Sequence, residues 1–209
     1  MKLYSYWRST TSYRVRIALA WKGVEYEYVA VNLLEGDQRS DAYASVNPIK
    51  GVPTLKLPGG RVLTQSMAIL DYLEDVYPKP ALLPFQPSAR ADVRAAAMVM
   101  ATDVHPVNNL KVGQKLKSMG HSQEEVVAWM MHWMQEGLTA FQSLISPNAA
   151  YCFGDEVTWA DICLVAQLYN AHRWGVDLTA FDRLAEIERR CLELPAFQAA
   201  HPDNQPDAS

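Results

Sequence analysis

The stretch VPTLKLPGGRVLTQSMAILDYL, residues 52–73, contains the pattern that decides the fold of this chain. Residues 52–57 and 61–63 are predicted strands, and the Gly-Gly pair between them predicts a tight hairpin turn. From Ser66 onward the apolar residues recur with the spacing of a helix that buries one face. The stretch therefore predicts an antiparallel strand pair that leads directly into a helix.

The residues before this stretch complete the sheet. Residues 1–7 and 26–32 predict two further strands, separated by a helix over residues 13–22, and a short irregular helix is expected over residues 34–44. Two strands joined through a helix tend to be parallel. The order β-α-β-α-β-β-α predicts a thioredoxin-like α/β domain with a four-stranded mixed sheet, covering residues 1–82.

The remainder of the chain, residues 88–209, predicts an all-helical domain that follows a proline-rich linker. Thr158 and Asp161 have the spacing of a capping box at the start of one of its helices. Helical patterns cover residues 88–117, 123–146, 159–173 and 182–193, with a short turn near 195–200. The fold class is therefore α/β plus all-α.

Composition excludes several classes of function. The formal net charge is −4 and the basic residues are scattered, so we expect no nucleic-acid partner. We find no leader segment and no apolar run long enough to span a membrane, so we expect no membrane partner. Cys152, Cys163 and Cys191 lack metal-ligand or Cys-x-x-Cys spacing, which indicates a reduced, cytoplasmic protein with no metal.

The loop before the first helix is the first candidate for chemistry. Ser9, Thr10 and Thr11 lie where hydroxyls and backbone N–H groups at a helix N-terminus stabilise an anion, and a thiolate is such an anion. The loop contains no cysteine, so a reactive sulfur would have to come from a ligand. The alternative is that these hydroxyls only cap the helix.

Two further candidates lie in the stretch that decides the fold. Pro53 cannot donate to a sheet ladder, and a cis bond before it would turn the backbone of Val52 toward an extended peptide ligand. Gln65 and Ser66 begin a helix whose N–H groups suit a carboxylate. The alternatives are an ordinary edge-strand proline and a plain capping serine.

Taken together, the segments resemble the zeta class of the glutathione transferase superfamily over essentially the whole chain. The segments that carry the resemblance are YWRSTTSYRVRIAL (6–19), NPIKGVPTL (47–55), QSMAILDYLE (65–74), FGDEVTWAD (153–161), VDLT (176–179) and HPDNQPD (201–207). Zeta enzymes often carry Ser-Ser-Cys-Ser in the first loop, whereas this chain has Ser-Thr-Thr-Ser from Ser9. Because glutathione brings its own thiol, the missing cysteine leaves an isomerase function intact.

The resemblance implies a glutathione-dependent cis–trans isomerase that converts maleylacetoacetate into fumarylacetoacetate in tyrosine and phenylalanine catabolism. In the implied mechanism the glutathione thiolate adds reversibly to the cis double bond, which then rotates and expels the sulfur. The implied catalytic residues are Ser9, Thr10, Thr11 and Arg8. The implied glutathione contacts are Gln38, Val52, Gln65, Ser66, His105 and Asn108. Arg8 and Arg173 would receive the carboxylates of a maleyl-type substrate.

Several alternatives remain open at this point. Maleylpyruvate is the closest alternative substrate, and discrimination would depend on the pocket near Leu110, Lys111 and Arg173. A general glutathione transferase or an α-halo-acid dehalogenase of the same class would use the same groove. A non-enzymatic interaction module is a further alternative, since the two-domain fold is also used for binding. We expect a homodimer.

Overall fold

The computed structural model describes all 209 residues and divides the chain into two compact units. The first unit consists of Met1–Ala81 together with Leu192–Ser209, and the second unit is Leu82–Cys191. None of the helices combines the length and the apolar character that crossing a membrane would require.

The first unit has the predicted β-α-β-α-β-β-α order. Its elements are β1 (Lys2–Ser5), α1 (Thr10–Trp21), β2 (Glu27–Ala30), α2 (Asp41–Val46), β3 (Thr54–Lys56), β4 (Val62–Thr64) and α3 (Ser66–Val76), and the C-terminal segment adds α10 (Pro195–Ala200). The irregular helix expected over residues 34–44 is a 3-10 turn at Asp37–Arg39 followed by α2.

The four strands form one mixed sheet in the order β2-β1-β3-β4. Strand β1 pairs parallel with β2 and antiparallel with β3, and β3 pairs antiparallel with β4. Leu3 faces Leu55 across the two central strands, and both side chains are fully buried. The predicted mixed sheet is therefore confirmed, with its centre in the core of the unit.

Helix α1 is buried along most of its length, including two arginines. Arg14 and Arg16 expose 1% and 0% of their surface, which is rare for a charged side chain unless its donors are satisfied. The Arg16 guanidinium donates to the hydroxyl of Ser5 and to the carbonyl oxygens of Tyr6, Trp7 and Ala200 at 2.9–3.3 Å. Arg16 thus connects the loop after β1 with the C-terminal segment.

The placement of that C-terminal segment differs from the predicted division at residue 88. Helix α10 packs against α1, and Phe197 and Ala200 are buried there. These residues belong to the first unit because their apolar side chains complete its core, although they are distant from it in the sequence. Their position in the sequence therefore does not show that they pack against α1.

The second unit is all-helical, as predicted. Its helices are α4 (Pro87–Met98), α5 (His105–Val107), α6 (Leu110–Ser118), α7 (Gln123–Leu144), α8 (Trp159–Trp174) and α9 (Asp182–Leu192). The predicted capping box is present at α8, where the Asp161 carboxylate accepts from the N–H and the hydroxyl of Thr158 at 2.8 and 2.7 Å.

The helical pattern predicted over residues 88–117 is not one continuous helix in the structure. A π-helical segment, Val99–Val104, follows α4, and the chain leaves the helix at Asn108. The side chain of Asn109 then accepts from the N–H of Lys111 and caps α6. An asparagine side chain that bonds the backbone in this way competes with continuation of the helix.

Candidate functional site

The loop between β1 and α1 holds its hydroxyls in a defined chain of hydrogen bonds. The Oγ of Ser9 accepts from the N–H of Ser12 at 3.2 Å and so caps α1. Ser9 Oγ lies 2.9 Å from Thr11 Oγ1, which donates to the carbonyl oxygen of Val52 at 2.9 Å. Since Thr11 has one hydroxyl proton, Ser9 must donate to Thr11 in this arrangement. Ser9 and Thr11 are half-buried, whereas Thr10 is only 5% exposed.

The turn before β3 brings the Val52 backbone to the same place. The Val52–Pro53 peptide bond is cis, as the sequence predicts. The Val52 carbonyl accepts one hydrogen bond, from Thr11, and a carbonyl oxygen has a second lone pair to offer. Val52 can therefore accept from a second donor while it stays joined to the loop of α1.

The start of α3 provides a second helix N-terminus. Gln65 is the N-cap residue and its side chain makes no capping hydrogen bond, so it leaves the first-turn N–H groups to other partners. Gln65 has φ 69°, a left-handed conformation that costs energy in a residue other than glycine. The Ser66 hydroxyl is buried and accepts from Arg14 Nη1 at 3.4 Å. A buried cation thus lies behind this helix N-terminus, which favours an anion in front of it.

One small cleft of the first unit gathers four of the predicted site residues. They are Thr11, Val52, Gln65 and Ser66, and Asn47, Pro53 and Thr64 also line it. The cleft therefore combines the hydroxyl loop, the cis turn and the open helix N-terminus. Arg8, Thr10 and Gln38 are not part of its lining, and Ser9 reaches it through its contact with Thr11.

A hydrogen-bond network holds the residues around the Val52 turn of the cleft in place. Sequence reasoning assigned this network no role. The phenol of Tyr43 donates to the carbonyl oxygen of Gly51 at 2.6 Å, and burial raises the pKa of Tyr43, so the phenol keeps its proton. Asn47 donates to the same carbonyl at 2.8 Å and to the hydroxyl of Thr54 at 2.9 Å. Asn47 stands in one of the segments that carry the family resemblance, and that was the signal available for it.

Two of the predicted residues that lie outside the cleft lining are Gln38 and Arg8. Gln38 is buried within its 3-10 turn, where Nε2 donates to the carbonyl oxygen of Leu33 at 3.4 Å and Oε1 has no protein partner. Arg8 is half-buried, and its guanidinium stacks on the indole of Trp7 at 4.4 Å from the ring centroid. No carboxylate of the chain pairs with Arg8, so its planar donor array can receive one.

The second unit contains the other predicted contacts. Asn108 is 5% exposed, and neither its amide nitrogen nor its amide oxygen has a protein partner. His105 lies one turn away and contacts the side chain of Asn109 at 3.0 Å. Arg173 is exposed in the last turn of α8 and donates to Asn170 at 3.4 Å. A buried amide that lacks partners is costly, which is consistent with a ligand-binding role for Asn108.

The three cysteines lie in the second unit, whereas the cleft lies in the first. Cys152, Cys163 and Cys191 are free and buried in the second unit. Burial, with Asp161 nearby, raises the pKa of both the Cys152 and the Cys191 thiol. Neither of these two thiols is therefore suited to act as a thiolate near neutral pH.

Comparison with known proteins gives a consistent result. Residues 1–75 match the model of the glutathione S-transferase N-terminal domain. A maleylacetoacetate isomerase of Pseudomonas aeruginosa is 47% identical over 209 residues, which is 99% of this chain and 98% of that protein.

Solved structures agree with the sequence comparison. The holo structure of a maleylpyruvate isomerase, a bacterial zeta-class glutathione transferase, is 43% identical with a TM-score of 0.97, and both chains are covered fully. A maleylacetoacetate isomerase of Methylobacterium extorquens with bound malonate and glutathione is 37% identical with a TM-score of 0.96, again over both full chains. The chain belongs to the zeta class of the glutathione transferase superfamily, the family of the maleylacetoacetate and maleylpyruvate isomerases.

Proposed function

We propose that this enzyme converts maleylacetoacetate into fumarylacetoacetate, with glutathione as its coenzyme, in the catabolism of tyrosine and phenylalanine. The observation that carries the proposal is the hydrogen bond from Thr11 to the Val52 carbonyl. It joins an anion-stabilising helix N-terminus to a backbone that can bind a peptide, in a cleft that also contains Gln65 and Ser66. A thiol-bearing peptide with a free carboxylate fits that combination.

The polar groups of the cleft match the parts of glutathione. The first-turn N–H groups of α3 and the Ser66 hydroxyl, backed by Arg14, suit the γ-glutamyl carboxylate. The second lone pair of the Val52 carbonyl suits the N–H of the cysteinyl unit. Gln38, whose buried Oε1 lacks a protein partner, suits an N–H near the glycine end. Together these groups supply an acceptor or a donor for each part of the tripeptide.

The loop of α1 is the proposed position of the sulfur. When bound, glutathione supplies the nucleophilic thiol that adds reversibly to the maleyl double bond. The N-terminus of α1 offers its partial positive charge, and Ser9 offers a hydroxyl that can turn toward a thiolate while Thr11 keeps its bond to Val52. The chain itself supplies no sulfur here, because the loop contains no cysteine and the three thiols are buried elsewhere.

Arg8 is the proposed carboxylate receptor of the first unit. Its guanidinium lies over the Trp7 ring at 4.4 Å from the centroid, and this contact restricts its freedom before it binds a carboxylate in bidentate fashion. A cation at this position also stabilises negative charge that develops on the carbonyl side of the substrate. Arg8 would thus bind the substrate and lower the barrier to isomerisation.

The roles assigned to the second unit are likewise proposals. Asn108 has a buried amide without protein partners, which supports a ligand contact. His105, three residues earlier, contacts the side chain of the neighbouring Asn109. Arg173 is an exposed cation that can receive a second carboxylate. Substituting Asn108 or Arg173 by alanine should weaken binding of glutathione and of substrate, respectively.

Maleylpyruvate is a second candidate substrate. It is favoured by a specific observation, namely that a maleylpyruvate isomerase matches the whole chain at a TM-score of 0.97. Both substrates carry a cis double bond between a carbonyl and a carboxylate, so the same residues would act on either. Selectivity would be set near Leu110, Lys111 and Arg173.

Turnover assays on the purified chain test the proposal. We expect cis–trans isomerisation of maleylacetoacetate with glutathione. The kcat/KM for this reaction should exceed the kcat/KM for isomerisation of maleylpyruvate. It should also exceed the values for conjugation to a model electrophile and for dehalogenation of an α-halo acid. A higher kcat/KM for one of the alternatives would replace the proposed activity with that one. Failure of the chain to bind immobilised glutathione would favour the interaction module instead.

We further infer a cytoplasmic homodimer. The three cysteines remain free, which is typical of proteins in a reducing compartment. The ring of Phe85 is 96% exposed, and a large aromatic surface of this kind is favoured at interfaces. Light scattering should give twice the 23.4 kDa of one chain, and a monomeric mass would contradict the inference.

A further inference from the structure

The C-terminal tail reaches the loop that carries Arg8. Asp207 Oδ2 accepts from the backbone N–H of Trp7 at 3.1 Å, and its Oδ1 accepts from the phenol of Tyr28 at 2.6 Å. These contacts join residues 200 and 179 positions apart in the sequence, within the first unit. The tail is therefore bonded directly to the residue that precedes Arg8.

Arg16 holds the same loop from the side of α1. Its guanidinium donates to the carbonyl oxygens of Tyr6 and Trp7 at 3.3 and 2.9 Å. Asp207 and Arg16 together occupy the N–H and the carbonyl of Trp7. The two successive peptide groups before Arg8 are therefore held by the side chains of Asp207 and Arg16.

The arrangement contains a buried arginine, Arg16, and a carboxylate, Asp207. Arg16 is fully buried, its direct acceptors are neutral, and burial lowers its pKa. Asp207 is the carboxylate that acts on it electrostatically, while the other groups that do so are the phenols Tyr13, Tyr26 and Tyr28. Replacing Asp207 with a neutral residue would remove the one carboxylate of this set, which does not contact the guanidinium directly and affects the Arg16 pKa less than the three phenols do.

The loop in turn positions two proposed site residues. The indole of Trp7 is 7% exposed and supports the Arg8 guanidinium at 4.4 Å. The carbonyl of Tyr6 also accepts from the N–H of Ser9 at 2.9 Å, so the same peptides set the start of α1. A shift of Trp7 would therefore displace the Arg8 guanidinium.

We propose that Asp207 is a positioning residue, which holds the Trp7 backbone so that Arg8 meets a carboxylate of the substrate. This role rests on the proposed function of Arg8 and adds the C-terminal tail to the substrate site. It also gives a role to a residue of the C-terminal segment HPDNQPD. Asp207 does not touch the substrate in this proposal, since it acts through Trp7.

Binding of a small dicarboxylate tests the proposal without depending on turnover. The probe is maleate, titrated into the full chain saturated with glutathione. Asp207→Asn keeps the shape but removes the charge, and Tyr28→Phe removes only the phenol bond. Asp203→Asn is the matched control, because Asp203 is an exposed carboxylate of the same tail whose side-chain contact is with His201 at 3.7 Å.

We expect Asp207→Asn to raise the Kd of maleate about tenfold and to leave the Kd of glutathione within about twofold, as loss of one charge-assisted contact would. Tyr28→Phe should have a smaller effect in the same direction, and Asp203→Asn should have none. Hydrogen exchange should show that the Trp7 amide loses protection in Asp207→Asn.

Three results would overturn the proposal. An unchanged maleate affinity in Asp207→Asn would do so, as would a parallel loss of maleate and glutathione affinity that follows the folded fraction. A wild-type chain without affinity for maleate would do so as well. If maleate binding responds as expected while the wild-type chain shows no isomerisation, the positioning role stands and the proposed reaction is wrong.

Discussion

The hydroxyl of Thr11 donates a hydrogen bond to the carbonyl oxygen of Val52 over 2.9 Å. This contact joins the first turn of α1 to the residue before the cis proline, 41 positions later in the chain. The two parts of the cleft that would meet the cysteinyl unit of glutathione are therefore fixed relative to each other by one side chain. Thr11 therefore contributes to the cleft through its hydroxyl, and this role does not require the thiol of a cysteine.

Thr11→Val should weaken glutathione binding about three- to tenfold, because it keeps the shape of the side chain and loses a hydrogen bond of about 1 kcal/mol. Calorimetric titration of glutathione measures the change. Thr11→Ser is the control and should bind as the wild type does, since it retains the hydroxyl. Equal affinities of the valine and serine variants would show that the bond to Val52 is irrelevant to binding.

Arg8→Lys should raise the KM for the maleyl substrate by tenfold or more, on the order of 1.5 kcal/mol, although the charge is kept. A lysine lacks the planar pair of donors and cannot stack on Trp7 as a guanidinium does. Steady-state kinetics at saturating glutathione measure the effect. Arg61→Lys, in the exposed hairpin, is the control and should leave KM unchanged. An unchanged KM in Arg8→Lys would exclude bidentate binding.

Gly137→Ala should destabilise the second unit by roughly 1–3 kcal/mol, because an added Cβ would lie 1.9 Å from Val104 Cγ2 in the π-helical segment. Denaturant unfolding measures the loss. Gly113→Ala is the control, since its Cβ would meet the flexible end of Met130 at 3.1 Å. Equal stability of the two variants would mean that α7 and the π-helical segment are less closely packed than the structure has them.

Alkylation of the native protein should leave its activity intact at pH 8. Burial raises the pKa of Cys152 and Cys191, so at this pH both thiols stay protonated and therefore weakly nucleophilic. Iodoacetamide should react with them only after unfolding, as mass spectrometry can determine. After removal of the reagent, turnover with fresh glutathione should be unchanged. Activity that falls in step with cysteine modification would contradict the account.

Local chemistry made much of the fold predictable. The Gly-Gly turn between residues 52–57 and 61–63 identified β3 and β4, and Val52–Pro53 is cis as expected. Thr158 and Asp161 marked the start of α8. Each of these features is set by residues close together in the sequence, and the structure confirms them.

Other features were not predictable, either because two local signals compete or because the partner is distant in the sequence. The periodic pattern over residues 88–117 gave no sign of the break at Asn108, where capping by Asn109 competes with the helix. Asp207 and Trp7 are close only because α10 packs on α1, which no local pattern reveals. The network of Tyr43 and Asn47 at the Val52 turn was not assigned a role either, because its partners Gly51 and Thr54 are close in the sequence but a periodic pattern does not show side-chain hydrogen bonds.

The ionisation of bound glutathione tests the central claim most directly, since the chain is held to stabilise a thiolate that it does not itself contain. Ultraviolet difference absorbance of the thiolate, followed against pH in the binary complex, reports the pKa of that thiol. We predict a pKa about one unit or more below the roughly 8.5 of a free thiol, and a partial return toward that value in Ser9→Ala. A thiol that titrates in the complex as it does in free solution would contradict the account.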